Sequence, residues 1–374
     1  MQLLCIGNGI FTKKSGKLLT HRLTGNFLIE LTDYFEKVTF VQAAYNTSCL
    51  KTLNNFELNN EKLEALAFEL SEKNSLAKCF SYLKSIPAIL HQVRKADFLY
   101  IFLPGNLSML ISICSIILKK PYGIYLRGEH GFNRKLMSLI LSRSNFVHAN
   151  GQILADKVSR FCKNVDLTIP MLDLTDSDCL THRNFKNQPP WNILYVGRIE
   201  TRKGIHELIE AARILKEQAI DFELNIVGEG PELEKLMTES PAELGQHVRY
   251  LGLISDRDKL FSLYMNADLF VFPSHEEGFP RVLYEAMAFQ VPIITTFVGS
   301  IGSVMQHEDN CLRVDVGDSK MIALTIERAL NNIQLRQKIA GNAGNVVRQI
   351  LKRKNESSHA KQVHQKVSKY ENTK

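Results

Sequence analysis

Short apolar runs alternate with amphipathic stretches along most of this chain. In the first half, residues 3–6, 38–41, 98–103, 122–126 and 146–149 read as buried strands. Residues 24–35 carry helical spacing, with Phe27, Leu28, Leu31 and Phe35 on one face, and 60–80 and 85–94 also read as helices. A loop rich in Lys, Ser and Gly follows the first strand. A second alternation has strands over 193–196, 222–227, 248–251, 269–272 and 293–295. Its helices fall at 205–216, 233–237, 259–266, a segment opened by Pro280, and 321–330.

This order predicts an α/β protein with parallel sheets, two Rossmann-like doubly wound halves facing across a cleft. The expected domains are 1–172 and 191–345, joined by a polar linker over 173–190 that ends in Pro189-Pro190. Residues 346–374 are expected as a basic C-terminal helix that packs back on the first domain.

A length of 374 residues suits two domains, and 45% apolar with 23% charged residues is ordinary for a globular chain. The seven cysteines form no CxxC pair or zinc spacing and read as reduced thiols in a cytoplasmic protein. The first ten residues lack the basic n-region of a signal peptide, and the longest apolar segment, 107–118, is too short to span a bilayer. That segment reads as a buried core helix or a membrane contact. The net charge of +7 concentrates at the C-terminus, where 348–374 hold eight Lys or Arg and two Glu. A solvated helix and attraction to anionic lipid at the inner leaflet both fit that excess. No nucleic-acid motif occurs.

The most informative stretch is Glu277-Gly278-Phe279-Pro280-Arg281-Val282-Leu283-Tyr284-Glu285. It follows the apolar strand 269–272, so 274–279 form a loop at a strand's carboxyl end, where open α/β sheets bind ligands. Pro280 suits the first turn of a helix, and the amides of Arg281, Val282 and Leu283 would then face an anionic diphosphate. Glu277 in the loop and Glu285 on the helix are placed to accept hydrogen bonds from sugar and ribose hydroxyls. The pattern points to a sugar nucleotide.

These residues resemble family 4 of the nucleotide-sugar glycosyltransferases, the group 1 glycosyltransferases of bacterial surface-polysaccharide assembly, which have the GT-B fold. Val196-Gly197-Arg198-Ile199 with Lys203-Gly204 resembles the family's basic donor-phosphate motif, and Ile226-Val227-Gly228-Glu229-Gly230-Pro231 its next strand and turn. Tyr250-Leu251-Gly252-Leu253 resembles the segment that contacts the base through backbone atoms, and Glu277 to Glu285 the E-x7-E signature. The match is densest over 192–330, while the N-terminal half matches in layout only. The resemblance implies that Arg198 and Lys203 neutralise the donor diphosphate, that Glu277 holds the donor sugar and that Glu285 holds the ribose. Gly278 and Phe279 then bring backbone close to sugar and phosphates. Gly16, beside Lys13-Lys14-Ser15, sits where the family has a Gly-containing loop over the diphosphate.

One departure stands at Tyr125-Leu126-Arg127-Gly128-Glu129-His130. Relatives have His-Gly at this strand end, with the His beside the reacting sugar. Arg127 takes that place and cannot act as a base near neutral pH, which leaves Glu129 and His130 as candidates. The only Asp-x-Asp strings, Asp176-Ser177-Asp178 and Asp256-Arg257-Asp258, lie in the linker and at a helix start, and the histidines show no ligand spacing. No metal cofactor is expected. The resemblance implies retention of anomeric configuration by front-face transfer. The donor would be a UDP-sugar first and a GDP-sugar second, and the acceptor a saccharide, lipid-linked, at the inner face of the membrane. The competing readings are a GT-B sugar-nucleotide epimerase or phosphorylase and a catalytically inactive sugar-nucleotide binding protein.

Overall fold

Two parallel sheets, each covered by helices, organise the chain. The computed structural model describes residues 1–14, 16–45, 54–70, 75–128, 135–168, 171–239, 244–278 and 280–373. One unit comprises Met1–Asp173 with Lys354–Lys374, and the other Leu174–Arg353.

The first unit contains β1 (Gln2–Lys14), β2 (Lys17–His21), β3 (Lys37–Tyr45), β4 (Asn54–Glu57), β5 (Leu63–Leu70), β6 (Phe98–Leu103), β7 (Tyr122–Leu126), β8 (Phe146–Ala149) and β9 (Val165–Leu167). The parallel part runs β5-β3-β1-β6-β7-β8-β9, so the order reverses between β1 and β6. β2 pairs antiparallel with the end of β1, and β4 with β2. β6 and β7 are buried at every position, which explains their unbroken apolar runs, because a strand covered on both faces shows no alternation. One face of the sheet is closed by helices carrying Ile89, Val93, Ile111, Met137 and Ile140. On the other face, Phe27, Leu28 and Leu31 pack with Ala360, Val363 and Val367 of the helix His359–Glu371.

The second unit holds β10 (Trp191–Val196), β11 (Phe222–Val227), β12 (Val248–Gly252), β13 (Leu269–Phe272), β14 (Ile293–Thr295) and β15 (Leu312–Arg313). They lie in the order β12-β11-β10-β13-β14-β15, all parallel, with the reversal between β10 and β13.

Four expectations are corrected. Residues 60–80 are not one helix: 63–70 form β5, and a helix begins at Ser75 and runs to Lys95. Leu63, Ala65 and Ala67 face one core while Leu66 and Phe68 face the other, so this two-sided strand lacks the alternation that marks one. The loop after the first strand is instead a β-hairpin, with Lys14 paired to Lys17. Of the segment 173–190, expected as a linker, all but Asp173 belongs to the second unit. There Arg183 is buried and its guanidinium donates to the carbonyls of Tyr264, Met265, Ala267 and Phe289. The expected boundary at 346 falls inside the helix Ile333–Glu356. Residues 107–118 form the helix Asn106–Ile117, and among the described residues no helix is long and apolar enough to cross a membrane.

Candidate functional site

A doubly wound sheet leaves a crevice outside its carboxyl edge where the strand order reverses, because the loops on either side turn in opposite directions. In the second unit those loops follow β10 and β13, and backbone contacts hold them together. The His275 N–H donates to the Arg202 carbonyl at 2.9 Å. Gly204 closes the 3-10 turn Thr201–Lys203 at φ 70 and opens the helix Ile205–Glu217. A Cβ there would stand 2.0 Å from the Pro273 carbonyl oxygen, so the approach of the two loops requires glycine. Tyr195 OH donates to the Arg198 carbonyl at 3.1 Å, and burial raises its pKa and keeps it protonated.

This stitching brings Lys203 and Glu277 together. Lys203 Nζ is 2.5 Å from Glu277 Oε1 and 3.3 Å from the Glu276 carbonyl. Ser274 Oγ, fully buried, lies 3.4 Å from the same carboxylate oxygen. Burial raises the Glu277 pKa above the usual glutamate range, outweighing the lowering by Lys203 and Ser274. The pair is thus a partly desolvated charge couple at the sheet's switch point, with a cation able to exchange partners. Gly278 follows, its carbonyl accepting from Ser300 N–H at 2.8 Å. Phe279 lies outside the described residues.

Glu285 has an anchor of its own. It sits on the helix Arg281–Ala288, and Tyr264 OH donates to its Oε2 at 2.9 Å. Pro280 is the residue before that helix instead of its first residue, and Leu283 N–H donates to the Pro280 carbonyl at 3.2 Å. Leu283 is therefore not a free amide, and its side chain is fully buried, while Val282 is half-buried. Arg198 points elsewhere: its Nε is 3.4 Å from Glu200 Oε2, and its side chain is 64% exposed. Gly228, at φ 143, would place a Cβ 1.8 Å from the Gly197 carbonyl oxygen, so it lets the β10 and β11 loops touch. Leu253 follows Gly252 at the end of β12 and is half-buried.

In the first unit, Arg127 follows β7 and its N–H donates to the Leu103 carbonyl. Its Nη1 is 3.3 Å from Asn8 Oδ1, and Asn8 Nδ2 donates to the Pro104 carbonyl at 2.9 Å. Arg127 thus stands at the switch between β1 and β6. Glu129 and His130 lie outside the described residues. Gly16 sits at the tip of the β1–β2 hairpin at φ 77, with nothing near a would-be Cβ. The Asp-x-Asp strings serve locally: Asp178 binds Arg257 and Thr175, and Asp256 caps the helix Arg257–Asn266. Among the described residues no group of three or more His, Cys, Asp or Glu is placed to hold a metal ion.

Sequence reading missed Ser274, Tyr264 and Gly299. Gly299, at φ 54, would place a Cβ 1.8 Å from the Glu277 carbonyl oxygen. A glycine just after the strand Ile293–Thr295 is the one signal that marked it.

Residues 180–346 match the family model described as glycosyl transferases group 1. The capsular polysaccharide biosynthesis glycosyltransferase CapM of Staphylococcus aureus is 40% identical over 149 residues, covering 40% of this chain. The 2-deoxystreptamine N-acetyl-D-glucosaminyltransferase of Niallia circulans is 33% identical over 142 residues, covering 37% of this chain. The matched stretch spans 39% and 36% of these two relatives' lengths. Among solved structures, HepE of Anabaena in complex with UDP and glucose superposes with a TM-score of 0.70 at 18% identity over 100% of both chains. Sucrose-phosphate synthase of Thermosynechococcus elongatus gives 0.71 at 16% identity, also over 100% of both. The two parallel-sheet units are thus those of the GT-B fold. Residues 180–346 of this chain are similar to the group 1 glycosyltransferases.

Proposed function

We propose that this chain is a retaining glycosyltransferase of family 4, moving a sugar from a nucleoside diphosphate donor to a hydroxyl of a lipid-linked saccharide. It would act at the cytoplasmic face of the membrane in assembly of a surface polysaccharide such as a capsule or lipopolysaccharide. The observation that carries this reading is the Lys203–Glu277 couple at the switch point of the second sheet. As the bond to the anomeric carbon breaks, negative charge grows on the leaving diphosphate, and a fixed cation stabilises that charge. Lys203 exchanges Glu277 for a phosphate oxygen, which frees the carboxylate for sugar hydroxyls. Arg198, exposed on the same loop as Lys203, turns in as a second cation able to bind two phosphate oxygens. Glu285, oriented by Tyr264, takes the ribose hydroxyls.

In front-face transfer the departing diphosphate accepts the acceptor's proton. The reaction then asks for no enzyme nucleophile and no metal. Arg127 binds an anionic or hydroxyl oxygen of the acceptor side. Uridine is the first choice of base and guanosine the second; the solved complex of HepE with UDP-glucose supports the former. The capsular role in CapM's name supports the polysaccharide acceptor.

A thermal-shift comparison of UDP, GDP, ADP, dTDP and CMP, all in EDTA, tests the donor site. A ligand at about a hundred times its Kd stabilises the fold by roughly 2.7 kcal/mol. UDP is expected to raise the melt in wild type and not in Lys203→Ala. No shift with any of the five overturns the reading.

A further inference from the structure

One face of the first unit's sheet is covered by three adjacent helices, Ser75–Lys95, Asn106–Ile117 and Lys135–Ser142, the middle one packing against both others. Their inner residues, including Val93, Ile111 and Ile140, fill the core. Their outer surface is unlike that of a solvated helix layer. Phe80 is 68% and Ile117 69% exposed, and Leu83, Leu136 and Leu139 are also exposed. No Asp or Glu occurs in any of the three helices. Lys84, Arg94 and Lys135 lie exposed within them, and Lys119, Arg143 and one acid, Asp97, lie exposed just beyond their ends. Exposed large apolar side chains set among cations, with no carboxylate between them, match a surface that is anionic outside and apolar beneath.

From this we propose that the three-helix face docks on an anionic lipid bilayer, with Phe80, Leu83, Ile117, Leu136 and Leu139 entering the headgroup boundary and Lys84, Lys119, Lys135 and Arg143 meeting lipid phosphates. The charge pattern selects lipid over a protein partner, since three helices with cations and no acid of their own suit a continuous sheet of phosphates. The assignment stands on this surface alone and does not depend on which sugar is moved. It also shifts the expected membrane contact away from the C-terminal basic segment, whose Ala360, Val363 and Val367 are buried in the first unit's opposite core.

Vesicle co-sedimentation tests it, using phosphatidylcholine alone against phosphatidylcholine with roughly a third phosphatidylglycerol. Wild type should bind only the anionic vesicles, and high salt should weaken binding. Lys84→Glu with Lys135→Glu should lower the bound fraction at least about tenfold. Leu83→Ser with Ile117→Ser should lower it severalfold, with an unchanged melting temperature in both variants. Equal binding to both vesicle types, or variants that bind like wild type, overturns the proposal. So does loss of binding on neutralising Lys369 and Lys374 alone. A concentration-dependent dimer that Ile117→Ser abolishes, without vesicle binding, would reassign the face to a second copy of the chain.

Discussion

Lys203 and Glu277 stand 2.5 Å apart at the switch of the second sheet, with 16% and 14% of their side chains exposed. They come from loops after two neighbouring strands, so the couple measures how well those loops are joined. Lys203→Ala leaves the Glu277 carboxylate partly buried without its chief cation, which costs about 2 kcal/mol of stability. Donor kcat/KM is expected to fall by about 100-fold or more, since the leaving-group cation is removed. Lys203→Arg should restore stability better than activity, because its planar fork cannot take the place of a point charge. Denaturant midpoints and donor kinetics on the two variants check this; an alanine variant with wild-type kcat/KM would sink the role of Lys203.

The same couple predicts a pH limit. Burial holds the Glu277 pKa above the usual glutamate range, so protonation sets in at a higher pH than for an exposed glutamate. The carboxylate must be ionised to accept from sugar hydroxyls, so the acid limb of donor binding should lie above that range. For stability the sign is opposite: a carboxyl with a raised pKa favours folding below its unfolded pKa, and that contribution is lost as pH rises through the folded pKa. Lys203→Ala removes a lowering influence and should move the acid limb further up. Titration of kcat/KM for the UDP-sugar against pH in the two proteins reads it directly, and a wild-type limb at the usual glutamate pKa contradicts the assignment.

Tyr264 is the positioning residue for Glu285. It is fully buried, and its hydroxyl donates to Glu285 Oε2 at 2.9 Å. Tyr264→Phe keeps the ring packing against Phe270 and Phe289 and removes that bond together with a longer one, 3.5 Å, to the Val282 carbonyl. The expected cost is about 1 kcal/mol of stability. Donor KM should rise severalfold with kcat nearly kept, because a freer Glu285 loosens ribose binding in ground and transition states alike. An unchanged KM would show that Glu285 needs no such anchor.

Much of the second unit was legible because its strands are short apolar runs between Gly and Pro signals. The strand ending at Phe272 and the helix before Phe289 could be placed from Pro273, Pro280 and the Ala286-Met287-Ala288 run alone. Partner choice was not legible. Nothing local in Arg198 says that it pairs with Glu200 on its own loop, or in Lys203 that it reaches a residue 74 positions away. In the first unit β5 was misread because Leu, Glu and Ala favour helices, and its neighbour strand decided otherwise.

Gly204 tests the stitching of the loops. Its φ of 70 and the Pro273 carbonyl 2.0 Å from a would-be Cβ leave no room for a side chain. Gly204→Ala must either unwind the start of the helix Ile205–Glu217 or push the loop after β13 outward. Stability should fall by at least about 2 kcal/mol, the sum of a left-handed alanine and a displaced backbone. UDP should then no longer raise the melt even where the variant stays folded. A variant that keeps the nucleotide shift would show that Lys203 and Glu277 can meet without this contact.

The first unit carries an acid-sensitive lock between its sheet and its C-terminal helix. Tyr100 OH lies 2.9 Å from His148 Nδ1 and 2.6 Å from His359 Nε2, with both rings enclosed among Phe27, Tyr125 and Phe146. Burial lowers the His148 pKa to about 4 and takes His359 well below the usual imidazole range, with Arg127 and His148 itself lowering the latter further. Among the described residues Asp166 is the carboxylate paired with His148, at 3.8 Å, and it is also paired with Lys366. In the unfolded chain both rings protonate near pH 6.5, so their contribution to stability is present above that pH and is lost as pH falls toward 4. For His148 alone the loss between pH 7 and pH 5 is roughly 2 kcal/mol. Denaturant midpoints across that window should fall in wild type and fall less in His359→Phe, which keeps a ring in the same enclosure. If the two curves run parallel, the rings are not the source of the acid sensitivity and the helix is held by Ala360, Val363 and Val367 alone.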